Sequence, residues 1–297
     1  MNALFVVLLL TPPGALVKLP APADLVTAVR GGDDVEIERV AARLGAVRLE
    51  AWAEHGKPPE RLAALRALPL VEDAWSVLPD LAKLVGDPDD EVAAHAADTA
   101  LRIAESMTPE RKALDEMPAD VPTRAARELM AMAGKTTLKP ALRITTIEAA
   151  AALRGVARLD EKALAALLGD GDASVRRAAA EALAGSPIGD KPLAEALVKD
   201  SVPTVAAAAA AALCRDVPVV TPSKPGAAEL RAARLPPPAR ERLRALALDE
   251  SLSLADRLDL VGCLRVGKKD ADQKVLDELA RKPPDSLRRR ARSLGGR

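Results

Sequence analysis

Aromatic residues are almost missing from this chain: Phe5, Trp52 and Trp75 are the whole inventory, and there is no tyrosine. Single-stranded nucleic acids are held by stacking bases on aromatic faces, so that platform cannot be built. Net charge is missing too, because 43 Lys and Arg balance 43 Asp and Glu. A neutral chain gains little from counterion release at a phosphate backbone, and no nucleic-acid partner is expected. His55, His95, Cys214 and Cys263 are the only histidines and cysteines. They cannot complete a three- or four-ligand zinc site without borrowing carboxylates. No Gly-rich phosphate loop, GxSxG elbow, HExxH or CxxC occurs, so no catalytic residue, cofactor or metal is assigned.

Long hydrophobic runs are scarce as well. Ala3–Leu10 is an unbroken apolar stretch of eight residues, far below the ~20 needed to cross a bilayer, so no stable membrane span is expected. It fits the apolar core of a secretory signal, with Ala21-Pro22-Ala23 as the small-residue cleavage site, although no Lys or Arg precedes it. Export to the periplasm or the cell exterior follows if residues 1–23 are such a signal; otherwise the chain is cytoplasmic. In an exported chain Cys214 and Cys263 would sit where a disulfide can form, but two cysteines are no disulfide framework. Both lie in apolar helical patterns, which favours two buried thiols and leaves their pairing open.

What is abundant is alanine, 62 of 297 residues. With 29% charged residues, that composition predicts an almost wholly helical chain, since alanine loses no side-chain entropy in a helix. The charge is unevenly spread. Residues 1–150 hold 17 basic and 23 acidic side chains, and residues 151–297 hold 26 and 20. Seven of those basic residues fall between Arg281 and Arg297. Opposite charge on the two halves makes self-association one possible role, weakened by salt.

The decisive feature is repetition. Before Asp170 stand Leu164, Leu167 and Leu168; after it come Val175, Ala178, Ala179, Ala182 and Leu183. At the same offsets from Asp200, 30 residues on, stand Ala194, Leu197 and Val198, then Val205, Ala208, Ala209, Ala212 and Leu213. Asp87 gives Leu81, Leu84 and Val85, then Val92, His95, Ala96, Thr99 and Ala100. Weaker copies surround Gly32 and Asp249, and a further one is placed at 138–154 through Ile144, Ile147 and Ala151. Each set marks the face of one helix, a polar turn, and the i, i+3, i+4, i+7 face of a second. Asp or Ser in the turn caps the second helix. One hairpin cannot bury its apolar face alone and must stack on its neighbours. The expected fold is therefore all-α, an α-solenoid (armadillo-like superhelix) of stacked antiparallel helix pairs. It occupies 24–215, followed by a Pro-rich linker at 216–238 and C-terminal helices with a basic tail at 239–297. An additional helix is expected at 58–68, and a second linker at 106–123.

The segments LAKLVGDPDDEVAAHAADTAL (81–101) and LAALLGDGDASVRRAAAEAL (164–183) resemble the HEAT-repeat family in its compact bacterial, PBS-lyase-like form. That resemblance implies a curved scaffold whose second helices line a concave surface. It also implies a ladder of arginines bonding to the turn aspartates, for which only Arg176 fits, Ala93 and Ala206 standing at the equivalent places. On this basis the chain is expected to be a non-catalytic scaffold for an unidentified protein partner. The alternative is a lyase-like or accessory enzyme acting on a partner protein's cofactor, as relatives of this fold include bilin lyases.

Ala206–Ala212 are seven consecutive alanines, which suggests a smooth concave patch centred on Ala207 and Ala211. Arg176, Arg177 and Glu181 would flank it, and these five are the candidate partner-binding residues. Ala179 and Ala208 are expected at stacking faces. His95, flanked by Glu91 and Asp98, occupies a packing offset and is expected in the core; Trp52 and Trp75 are expected as local core anchors.

Overall fold

The computed structural model describes residues 19–108, 117–186, 188–215, 235–264, 270–282 and 284–295. Sixteen α-helices and no strand occur among them. The described residues divide into two compact units, one ending at Val77 and one starting at Leu78.

In the first unit, α1 (Pro22–Gly31), α2 (Asp34–Leu44), α3 (Ala46–His55) and α4 (Pro58–Ala67) precede two short 3₁₀ turns at Leu68–Leu70 and Ala74–Val77. Gly32 ends α1 in the left-handed conformation (φ 71°) and donates its N–H to the Val29 carbonyl, a position where a Cβ would be strained. Asp33 caps α2 by accepting from Val35 N at 3.0 Å. The core is aliphatic, built on Leu25, Ile37, Leu49, Leu65 and Leu68. Trp52 and Trp75 are only half-buried. Helices this rich in alanine close around leucine, which leaves indole rings at the margin rather than as anchors.

The second unit is a row of six helix pairs: α5 (Leu78–Leu84) with α6 (Asp90–Ser106), α7 (Asp120–Ala133) with α8 (Pro140–Ala152), α9 (Glu161–Leu167) with α10 (Ala173–Ala182), α11 (Asp190–Lys199) with α12 (Pro203–Cys214), α13 (Pro237–Leu248) with α14 (Leu254–Leu264), and α15 (Asp270–Leu279) with α16 (Asp285–Gly295). The second helix of each pair packs on the second helix of the next, from α6 through α8, α10, α12 and α14 to α16. First helices follow beside them, α5 on α7, α11 on α13 and α13 on α15. Pairs stacked in chain order in two layers are the α-solenoid arrangement that the repeat demands.

The turns are built as the offsets predict. Asp87, Asp170, Asp200 and Asp249 each accept the amide two residues on, all at 2.9 Å, which closes an Asx-turn. Asp89 and Asp172 then cap α6 and α10 through Glu91 N at 2.9 Å and Ser174 N at 2.8 Å. Ala179 is fully buried. The expected linkers fall mainly outside the described residues, at 216–234 and 109–116, and so do residues 1–18 of the N-terminal segment.

Two repeat registers differ from expectation. In α8 the buried residues are Arg143, Thr146, Ile147, Ala149 and Ala150, with Ile144 only partly covered. In α14 they are Arg257, Leu260, Val261, Cys263 and Leu264, while Leu254 is 39% exposed. In both helices an arginine stem lies against the core, so reading apolar letters alone places the face one or two residues off. Arg257 also bonds like Arg143. Its Nε donates to Ala247 O at 3.3 Å, ten residues back, as Arg143 Nε does to Ala133 O at 2.7 Å. In the C-terminal pairs, Asp272 is buried between Arg240 and Arg244, the latter at 2.9 Å, which ties α13 to α15.

Candidate functional site

Arg176 sits on the first turns of α10 and is bonded within the fold. Its Nε and Nη2 donate to Asp200 at 2.7 and 3.1 Å, and its Nη1 donates to the Asp170 carbonyl at 2.9 Å. The pair is nearly buried, with side-chain exposures of 15% and 8%. Arg143 on α8 repeats the arrangement one pair earlier, gripping the Asp170 carboxylate with both Nη groups. Each arginine thus reaches forward to the turn aspartate of the next pair, and Arg143, Asp170, Arg176 and Asp200 form a two-rung ladder. The Arg143 hydrogen bond holds Asp170 below the usual carboxylate range. For Asp200, burial pushes upward, but the Arg176 hydrogen bond, the Val202 amide and the arginine charge together outweigh it, and the net shift is downward. Arg176 is raised, chiefly by its bond to Asp200.

Ala206 stands where a third arginine would be and is fully buried. The whole helix differs from expectation. Val205 through Ala210, Ala212 and Leu213 are all buried, Ala207 being 2% exposed, and between Val205 and Leu213 only Ala211 retains partial access. The alanine run is therefore not an open patch, and Ala207 is withdrawn as a docking residue. A helix apolar on every side belongs in an interior. Here α10, α11, α13 and α14 pack around α12, and methyl side chains let them approach closely. Arg177, 40% exposed, pairs with Glu181 at 2.9 Å and with Asp256 at the start of α14 at 3.2 Å. At the other end of α14, Cys214 and Cys263 form a disulfide joining α12 to α14, with Cα atoms 5.5 Å apart. The expectation of two free thiols is corrected: each is the last or next-to-last residue of its helix, and the close packing that alanine permits brings these ends together.

The open surface of the second-helix layer lies further toward the N-terminus. Between α6, α8 and α10 runs a groove of about 470 Å³, lined by Leu101, Ile147, Ala151, Ala152, Ala178 and Ala182 and by the carboxylates of Glu105, Glu148 and Glu181. Glu181 was legible as a candidate; Glu105 and Glu148 were not. Glu148 stands 33 residues before Glu181, the step from Arg143 to Arg176, a signal hidden because Thr137 replaces the turn aspartate in that repeat. Glu105 comes from the longer α6, past any repeat offset. All three lie toward helix C-termini, where the backbone dipole disfavours negative charge, and none of the three last turns carries a basic residue. Desolvation in the groove, then the charges of Glu181 and Glu105, push the Glu148 carboxyl above its ordinary value. Nearer the start of α6, His95 is exposed rather than buried: the alanines at its offset, Ala178 and Ala208, are buried, but the longer imidazole reaches past them to solvent.

Among the described residues no group of three or more His, Cys, Asp or Glu is arranged to hold a metal ion, and no helix is long and apolar enough to cross a membrane. A scan against protein-family models returns no match, and a search of curated proteins returns none.

Proposed function

We propose that this chain is a non-catalytic scaffold of the HEAT-repeat kind that holds a protein partner on its second-helix layer, in the groove formed by α6, α8 and α10. The observation that carries the reading is the groove itself. Three neighbouring helices of the layer present apolar floor residues, small ones on α8 and α10, and a carboxylate each, placed against their own helix dipoles. Charge in a position that weakens the fold is the usual mark of a surface selected for something else. Of the five candidate residues, Glu181 lines this groove and Arg177 borders it. Arg176 and Ala207 are engaged within the fold, and Ala211 keeps partial access but does not line the groove.

The test is a peptide-display library panned on the native protein and on Ala152→Met, which fills the groove floor without adding charge. Sequences enriched on the native protein should lose the variant, whose circular dichroism and melting should be unchanged. Equal recovery on both would remove the groove as the docking surface.

We propose also that the scaffold works outside the cytoplasm. The Cys214–Cys263 bond supports this, since such bonds persist in oxidising compartments. Intact masses from separated cell fractions test it: an exported, disulfide-bonded species shortened near residue 23 is expected, and full-length reduced protein in the cytosol would refute it.

A further inference from the structure

We infer that the α6–α8–α10 groove takes a cationic, extended segment of a separate protein, with Lys or Arg recurring at every third residue. This rests on the scaffold reading and specifies its partner. Glu105 and Glu148 have no ion-pair partner among the described residues, and Glu181 shares Arg177 with Asp256. The three carboxylates come from adjacent helices of one layer, and packed helices lie about 8–10 Å apart. All three line the same groove, yet they form no metal-holding cluster. The charge they call for is therefore distributed along a line rather than concentrated in one ion. A polyproline-II segment rises ~3.1 Å per residue and returns to the same side every third residue, a step of ~9.3 Å that matches the helix spacing. Between the charges, the small residues Ala151, Ala152, Ala178 and Ala182 leave room for short apolar side chains.

The probe is a fluorescent peptide of about twelve residues built on an Arg-Ala-Pro repeat, which favours that conformation. Its controls replace every Arg by Gln or cluster the arginines at one end. By fluorescence anisotropy the native protein should bind the spaced peptide. Glu105→Gln/Glu148→Gln/Glu181→Gln should weaken it at least about tenfold, and rising salt should do the same. These side chains are surface carboxylates, so the variant should fold, and a thermal melt verifies that. Equal binding of the Gln peptide, or no effect of the triple substitution, overturns the cationic assignment; the scaffold reading then stands only if library peptides still depend on Ala152. Failure of every peptide on both proteins overturns both. Concentration-dependent self-association abolished by the triple substitution would give the groove to a second copy and overturn the separate partner.

Discussion

Helices α10 and α12 match at almost every repeat offset, yet they end in opposite environments. α10 carries Arg176, Arg177 and Glu181, and one of its sides stays open as a groove wall. α12 carries alanine at the three matching positions, Ala206, Ala207 and Ala211, and is covered on nearly every side. The ways in which they are tied to their neighbours differ accordingly. α10 is fastened by the Arg143–Asp170 and Arg176–Asp200 rungs, whereas α12 is fastened to α14 by close packing and the Cys214–Cys263 bond. Removing long polar side chains does not create a docking face in a solenoid; it invites the next helix in.

The sharpest way to break this comparison is to put charge on α12. Ala207→Glu should cost about 3–5 kcal/mol or unfold the C-terminal pairs, because a buried carboxylate gains no partner there. Ala211→Glu should cost under about 1 kcal/mol, as that residue keeps partial access. Urea melts of the two variants check it, and equal losses would show that α12 is not enclosed.

The ladder comes next. Arg143→Ala leaves Asp170 nearly buried and unpaired, for an expected loss of about 3 kcal/mol in the same melt. The ladder's stability should also depend on pH. Asp170 and Asp200 have folded-state values below the ordinary carboxylate value, so their contribution is complete above that value and disappears as pH falls through the lowered one. A native protein that loses stability below about pH 4, beside an Asp170→Asn variant whose curve is flatter there, is the expected result.

Reduction, or Cys214→Ser with Cys263→Ser, should destabilise the chain by about 2–4 kcal/mol, seen as a lower melting temperature that the native protein reproduces only with reductant. The ladder variants should keep that difference intact, since the two devices hold different junctions. The smallest effect belongs to the groove. Glu148→Gln should leave stability unchanged or raise it by up to about 0.5 kcal/mol. The sign follows from the raised carboxyl: ionised Glu148 opposes folding, so its removal helps at neutral pH and has no effect in acid.

The helical class, the pairing of helices and the Asp-anchored turns were legible in the sequence, because alanine content, 3.6-residue periodicity and capping residues act locally. Glu181 and Arg177 were legible too, as charges on a helix with a defined apolar face. The registers of α8 and α14 were not, since Arg143 and Arg257 are buried residues written in polar letters. The exposure of α12 could not be read either. Seven alanines suit an open face and an enclosed helix equally well, and only the return of α13 and α14 onto α12 decided between them. The disulfide and the line of Glu105, Glu148 and Glu181 have the same origin: each is an agreement between residues far apart in the chain, made when stacked helices bring their ends and faces together. Sequence by itself determined what each helix is and how it begins. Tertiary packing decided which sides remain in solvent, because that depends on what lands there.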